Sequence, residues 1–305
     1  MRSRWVSGLW LAGLSAVAFS GKAVIVKLAY RENMDAITLI TCRMAMALPF
    51  FIGLAWWFSR GQVRLSRQDL GGVIGLGFCG YYLASFLDFW GLAYISLGLE
   101  RLILYLSPLF VLLLRYFVWK KPIHRMQWLG MGLSYLGVLW VFGWELGLFQ
   151  DGTLFGTSLI FCSAISYAIY LSLSESFVRR LGPLRLAGWA TSFACLFCLG
   201  HFGLTHVHSH LLGLDALRRL PASVWVLSGI NALACTVLPM ILMMMAIERI
   251  GSGLAAQVGM IGPLSTMLMG WLILNEAITW PAWLGTILVL LGVFLSTFSR
   301  DPKQG

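Results

Sequence analysis

The chain has 305 residues, 59% of them hydrophobic and only 11% charged, with a mean hydropathy of +0.82. A soluble domain carries about 25% charged residues, so one solvated globule is excluded and the class is an all-α polytopic membrane protein. The net charge of +10 would suit a nucleic-acid binder, but the placement of the basic residues accounts for it without one.

Apolar runs divided by charged or turn-rich punctuation predict ten membrane-spanning helices, over 6–29, 37–58, 70–92, 98–118, 126–144, 154–174, 184–205, 223–246, 252–274 and 281–299. The first run follows Arg2 and Arg4. It contains Ala16-Val17-Ala18, which resembles a leader-cleavage site, but continues to Ala29. That is close to the ~20 residues a span needs, so the run reads as a helix rather than a leader. Ser66-x-x-Asp69 reads as a capping box opening the third helix. Pro221 and Trp280-Pro281 mark the starts of the eighth and tenth. The six cysteines all lie in apolar runs and read as packing residues, Cys195-x-x-Cys198 included.

With the N-terminus inside, the alternating inner segments hold most of the basic residues: Arg2 and Arg4, Arg60 to Arg67, Lys120 to Arg125, Arg179 to Arg185, Arg249, and Arg300 with Lys303. The outer loops hold only Arg31, Arg218 and Arg219. This bias predicts that both termini are cytoplasmic.

The chain also resembles itself. At a constant offset of 155, Gly98 aligns with Gly253 and Pro108-Leu109 with Pro263-Leu264. In the same register Trp128-Leu129-Gly130 meets Trp283-Leu284-Gly285, and Gly137-Val138 meets Gly292-Val293. Helices four and five therefore match nine and ten, and the repeat unit is five helices. Five is odd, so the second copy inserts upside down. The expected organisation is two inverted five-helix repeats, residues 1–147 and 148–305, an arrangement common in secondary transporters with the site between the copies.

Three stretches carry a more specific likeness: the paired "SPLF…WLGMGLSYLGV" and "GPLS…WLGTILVLLGV" blocks, "DGTLFGTSLIFCSAISYAIY" at Asp151–Tyr170, and "ITLITCRMAMALPF" in the second helix. On these the chain resembles the EamA-type branch of the drug/metabolite transporter superfamily. That resemblance implies a ten-helix carrier of small organic solutes, typically a metabolite exporter of the bacterial inner membrane. The Pro-loop-Glu pattern usual after helices four and nine survives here only as Asn275-Glu276, with Lys120-Lys121 in the first copy.

Ionisable residues inside a span are costly and tend to face protein or a wet cavity. Lys22 and Lys27 on helix one, Arg43 on helix two, Asp88 on helix three and Glu100-Arg101 opening helix four all lie in the first copy. The counterparts of Glu100-Arg101 are Ala255-Ala256, so the shared packing skeleton does not require that pair. Lys22 is the hardest to explain by snorkelling. Neutral stripes share its logic: Ser15, Phe19, Lys22; Tyr81, Ser85, Asp88; Arg101, Tyr105, Pro108; Ser163, Tyr167, Tyr170, Ser174.

The expected cavity residues are Lys22, Phe19, Tyr81, Ser85, Tyr105, Tyr167, Tyr170, Asn231 and Gln257. Asp88, Glu100, Arg101, Lys27 and Arg43 are expected to gate or couple, with Glu100-Arg101, Asp88 and Lys27 forming an outer gate. Pro108 and Pro263 are expected to kink their helices. Structural roles stay open beside these: Lys27 and Arg115 as snorkelling residues, Arg43 as an anchor, Glu100 holding helix N-terminal amides, and the Tyr and Ser stripes as interhelical bonds.

Together these predict a secondary transporter exporting a small organic metabolite, such as an amino acid or organic acid, by alternating access. The partners are the solute, the lipid bilayer and a coupling proton or counter-solute, with no nucleic acid and no cofactor; monomer and homodimer both stay open. A drug or toxic-compound efflux carrier is the alternative. A divalent-metal exporter rests only on His201, His206, His208 and His210, which lack nearby acidic or Cys ligands. No catalytic motif or P-loop is present, so the chain is not expected to be an enzyme.

Overall fold

The computed structural model describes residues 2–32, 35–104, 106–120, 125–147, 152–206, 220–259, 261–277 and 279–298. Among them the chain is all helix, with no strand. The helices are α1 (Arg2–Tyr30), α2 (Ala36–Ser59), α3 (Arg67–Gly77), α4 (Ala84–Leu92), α5 (Leu97–Leu104), α6 (Ser107–Trp119) and α7 (Arg125–Gly147). Then come α8 (Thr153–Leu181), α9 (Pro183–His206), α10 (Ala222–Ala232), α11 (Leu238–Val258), α12 (Ile261–Leu274) and α13 (Trp280–Phe298). Two π turns, Phe78–Leu83 and Leu233–Val237, join α3 to α4 and α10 to α11 without interruption.

Among the described residues, seven helical stretches are long and apolar enough to cross a membrane: Trp5–Tyr30, Ala36–Ser59, Arg67–Leu92, Leu97–Val118, Thr153–Leu181, Pro183–Thr205 and Ala222–Gly251. Ser265–Leu274 and Trp280–Gly292 are shorter apolar stretches. The perimeter is apolar as well: Trp10 is 70% exposed and Phe117 71%. So large a coat of exposed aromatic and aliphatic side chains needs lipid around it.

Local signals set the helix ends. Ser66 caps α3, its hydroxyl accepting from the Asp69 amide at 3.0 Å and donating to the Asp69 carboxylate at 2.8 Å, as the capping box predicts. Asp35 caps α2 by accepting from Thr38 N. Within α11, Gly251 takes φ +79, a left-handed conformation that glycine adopts readily. It makes the turn predicted between the eighth and ninth spans. The six cysteines are free.

The expected kinks are helix breaks instead. α5 ends at Leu104 and α6 restarts at Ser107, so Pro108 is the second residue of a new helix. α11 ends at Val258 and α12 restarts at Ile261, with Pro263 in its first turn. The missing proline N–H costs nothing there, because first-turn amides have no intrahelical acceptor.

The interval of 155 residues recurs in the backbone. The π turns begin at Phe78 and Leu233. The non-glycine residues with positive φ among those described are Lys120 and Asn275. α7 and α13 pack antiparallel on one another: a Cβ on Gly137 would lie 2.8 Å from Gly285 O, and one on Gly292 2.3 Å from Gly130 O. Ser134 at the centre of this seam donates to Val289 O at 3.2 Å. The first π turn crosses α8 closely at Gly80, where a Cβ would lie 2.3 Å from the Tyr170 ring. At the second, Cys235 replaces Gly80, and the glycine has moved to the crossing helix: a Cβ on Gly21 of α1 would lie 3.0 Å from Cys235 Sγ. The close approach is kept while its glycine changes sides.

Candidate functional site

Helical spacing aims Ser15, Phe19 and Lys22 from α1 and Tyr81, Ser85 and Asp88 from the first π turn and α4 at one internal space. α5 adds Arg101, and α6 adds Ser107 and Pro108. Ser163, Tyr167 and Leu171 of α8, Met243 of α11 and Gly262 of α12 complete it. The cavity is about 150 Å³. Direct bonds between elements hold its walls: Ser20 Oγ donates to Gly262 O at 2.5 Å, Ser15 Oγ to Pro239 O at 2.6 Å, and Ser163 Oγ to Ala84 O at 2.7 Å.

The charges form one cluster. Lys22 Nζ is ion-paired with Asp88 Oδ2 and lies 5.4 Å from the Phe19 ring and 5.5 Å from the Phe89 ring. Arg101 Nε is 2.9 Å from Glu100 Oε2. That contact is charge to charge rather than an aligned hydrogen bond, since neither atom meets hydrogen-bond geometry with a partner among the described residues. The Asp88 and Glu100 carboxyl groups are neighbours. The Arg43 guanidinium sits 4.7 Å above the Phe89 ring and contributes to the same field. All five are deeply buried, from Glu100 at 0% exposure to Lys22 and Arg101 at 6%.

With both acids ionised the cluster carries three positive charges against two negative. A charge at the centre of a span costs roughly 2.5–3.5 kcal/mol on insertion scales, so one unmatched cation is a substantial imbalance. Arg101 Nε and Nη2, Arg43 Nε and Nη2, Asp88 Oδ1 and both Glu100 carboxyl oxygens are buried without a hydrogen-bond partner among the described residues.

The expected cavity residues Phe19, Lys22, Tyr81, Ser85 and Tyr167 line this space, and so do Asp88, Arg101 and Pro108. Tyr170 stands behind the wall, its hydroxyl 2.7 Å from that of Tyr81 and 3.5 Å from Met244 Sδ. Asn231 is fully buried on α10, away from the lining, with neither side-chain amide atom hydrogen-bonded among the described residues. Tyr105 lies outside the described residues, as do the side chains of Gln257, Pro263 and Arg115. Lys27 stands apart from the cluster and donates to Ile95 O at 2.8 Å. It lines a second cavity of about 370 Å³ that also holds Glu276 and Thr279, at the end of the bundle away from the chain termini. Ser20, Ser107, Met243 and Gly262 carry no signal in the sequence as site residues. Gly262, beside Pro263, is the one that a search for close helix approaches would have found.

His201 and His206 lie on α9, while His208 and His210 are outside the described residues. His201 Nδ1 is 2.9 Å from Tyr82 Oη, and its ring packs on Phe86. No group of three or more His, Cys, Asp or Glu side chains suited to a metal occurs among the described residues.

A family model described as "EamA-like transporter family" matches residues 6–143 and again 154–298. The "Uncharacterized transporter YcbK" of Bacillus subtilis (strain 168) is 29% identical over 267 residues, 86% of this chain and 84% of that protein. The "Uncharacterized transporter YoaV" of the same organism is 22% identical over 85% of each chain. A crystal structure superposes with a TM-score of 0.66 over 96% of this chain and 98% of its own, at 16% identity, which is a likeness of fold alone.

Proposed function

This chain belongs to the EamA-like transporter family, and on that footing we propose that it is a secondary carrier exporting a small organic metabolite, such as an amino acid or organic acid, by alternating access. It is a multi-pass membrane protein of a transporter family rather than an enzyme. The observation that carries the finer reading is the cavity between α1, α4, α5, α6, α8, α11 and α12, with ionised groups on one wall and aromatic and aliphatic groups on the others. At about 150 Å³ it is smaller than the ~300–1,000 Å³ pockets that hold drug-sized ligands, which favours a metabolite over a bulky drug.

The carrier is read as ten spans in two inverted five-helix repeats, residues 1–147 and 148–305, in a bacterial inner membrane with both termini cytoplasmic. Three features support the repeat: the family model's two separate matches, the π turns one repeat apart, and the antiparallel seam of α7 with α13. In this reading the breaks before Ser107 and Ile261 are the points about which each copy rocks. The Lys22–Asp88 and Glu100–Arg101 pairs form the partition on the side of the Lys27 cavity.

The test compares metabolites in the medium of cells with and without the gene, followed by counterflow of the affected compound in proteoliposomes. One or a few organic solutes should fall in the medium on deletion and be carried by the purified protein. Unchanged medium together with no counterflow of any candidate would reject the carrier.

A further inference from the structure

We propose that the solute is an organic monoanion with an apolar body and no ammonium group, and that Arg101 holds its anionic head. The inference rests on the carrier reading and names the chemical class that this cavity takes. Three observations combine. The first is the sign of the cluster. Lys22, Arg43 and Arg101 face Asp88 and Glu100 in a region with almost no exposure. One positive charge is left over, and a proton shared between the neighbouring carboxyls would enlarge that excess rather than cancel it. A monoanion brings the buried sum toward zero. A zwitterion leaves it unchanged, and a cation makes it worse, in a setting where an uncompensated buried charge is the costly state.

The second is which base is free to act. Lys22 is engaged by Asp88. Arg101 lines the cavity, is 94% buried by its 6% exposure, and has Nη2 without a hydrogen-bond partner among the described residues. A guanidinium edge with an unused N–H is the geometry that a carboxylate engages, and a carboxylate there supplies the missing acceptor. Asp88 Oδ1 is also unpartnered and could accept an ammonium. That would bring a fourth cation within reach of Lys22, Arg43 and Arg101, so the field opposes it.

The third is the other wall. The second half of the chain contributes Leu171, Met243, Tyr167 and Ser163, and the Ser163 hydroxyl is already spent on Ala84 O. Among the described lining residues that half contributes no ionised group, so a second carboxylate on the solute would meet no countercharge there.

Four ligands that share a phenyl body and differ in charged groups test this: 3-phenylpropanoate, L-phenylalanine, 2-phenylethylamine and phenylsuccinate. Equilibrium dialysis uses the full chain in lipid nanodiscs. The expected result is 3-phenylpropanoate bound at least tenfold more tightly than the other three. Arg101→Gln should weaken it at least tenfold, and Arg101→Lys less. Phenylalanine, phenylethylamine or phenylsuccinate binding as tightly as phenylpropanoate overturns the proposal, as does absence of binding by all four. So does an Arg101→Gln protein with wild-type elution profile and undiminished binding. If that variant fails to fold, the wild-type ranking alone decides. The ranking is read from binding and not from transport, so it can fail while the difference in exported metabolites stands, and the reverse.

Discussion

Ser134 donates its hydroxyl hydrogen to the carbonyl of Val289, 155 residues further along the chain. On the two-repeat reading the two residues are counterparts, and their bond lies on the axis relating the halves. The glycines flanking it, Gly130 and Gly137 on α7 and Gly285 and Gly292 on α13, let the two backbones touch there.

That contact predicts a paired sensitivity. Gly292→Ala places a methyl 2.3 Å from Gly130 O and from Ser134 Oγ, and Gly285→Ala places one 2.3 Å from Val141 Cγ2. Each should destabilise by about 1–3 kcal/mol, the usual cost of overpacking. Gly132→Ala on the same α7, where nothing lies within 4 Å, should be close to neutral. Thermal unfolding in detergent reads all three, and equal melting temperatures would mean that the seam is not close-packed.

Breaking the Lys22–Asp88 pair on one side should cost more than removing it whole. Lys22→Met and Asp88→Leu each leave a buried charge without its partner, at a cost of about 3–5 kcal/mol, whereas the double variant leaves neither. The double should recover part of that loss in a double-mutant cycle. Additive losses would show that the two side chains do not stabilise one another.

Filling the cavity should stop transport without unfolding the protein. Met243 lines the space and is 8% exposed. Met243→Trp should abolish export of the compound found in the medium comparison and leave the elution profile as it is. Retained transport would move the solute path elsewhere.

If the carrier is coupled to protons, the neighbouring carboxyls Asp88 and Glu100 are the groups able to carry one. Asp88→Asn with Glu100→Gln should then remove the response of proteoliposome uptake to a pH gradient while leaving counterflow measurable. A wild-type response to the gradient would assign the coupling to other groups or to exchange.

The ten-span topology predicts the behaviour of fusions. Green fluorescent protein at the C-terminus should fluoresce, because that end is read as cytoplasmic, and alkaline phosphatase joined after Gly152 should be active. The opposite pattern would place the C-terminus outside and Gly152 inside, and would reject this orientation.

Much of this architecture was legible from residue order, for identifiable reasons. Helical spacing put Lys22 on a face with Phe19 and Asp88 on a face with Tyr81 and Ser85, and both faces line the cavity. Spacing cannot say which faces meet. The ion pair between Lys22 and Asp88 therefore emerged only from packing, as did the separation of Lys27 from the charges it was expected to join. The proline positions were evident, but a proline in a helix interior and one opening a new helix look alike in sequence until the preceding hydrogen bonds are known. Neither π turn has a sequence signature. Phe78–Leu83 and Leu233–Val237 share almost no residues, and a turn closed by an i→i+5 bond needs no particular side chain.

Those two turns also carry a chronology. On the two-repeat reading, a π turn found at one position in both halves was already present in the five-helix ancestor before its gene doubled. The charges clustered at the cavity, Lys22, Arg43, Asp88, Glu100 and Arg101, all belong to the first half, and Ala255-Ala256 stand where it has Glu100-Arg101. The bend in the backbone was inherited by both copies, and the charge difference arose as they diverged. Solute recognition in this lineage would then be the younger trait, set upon a frame older than itself.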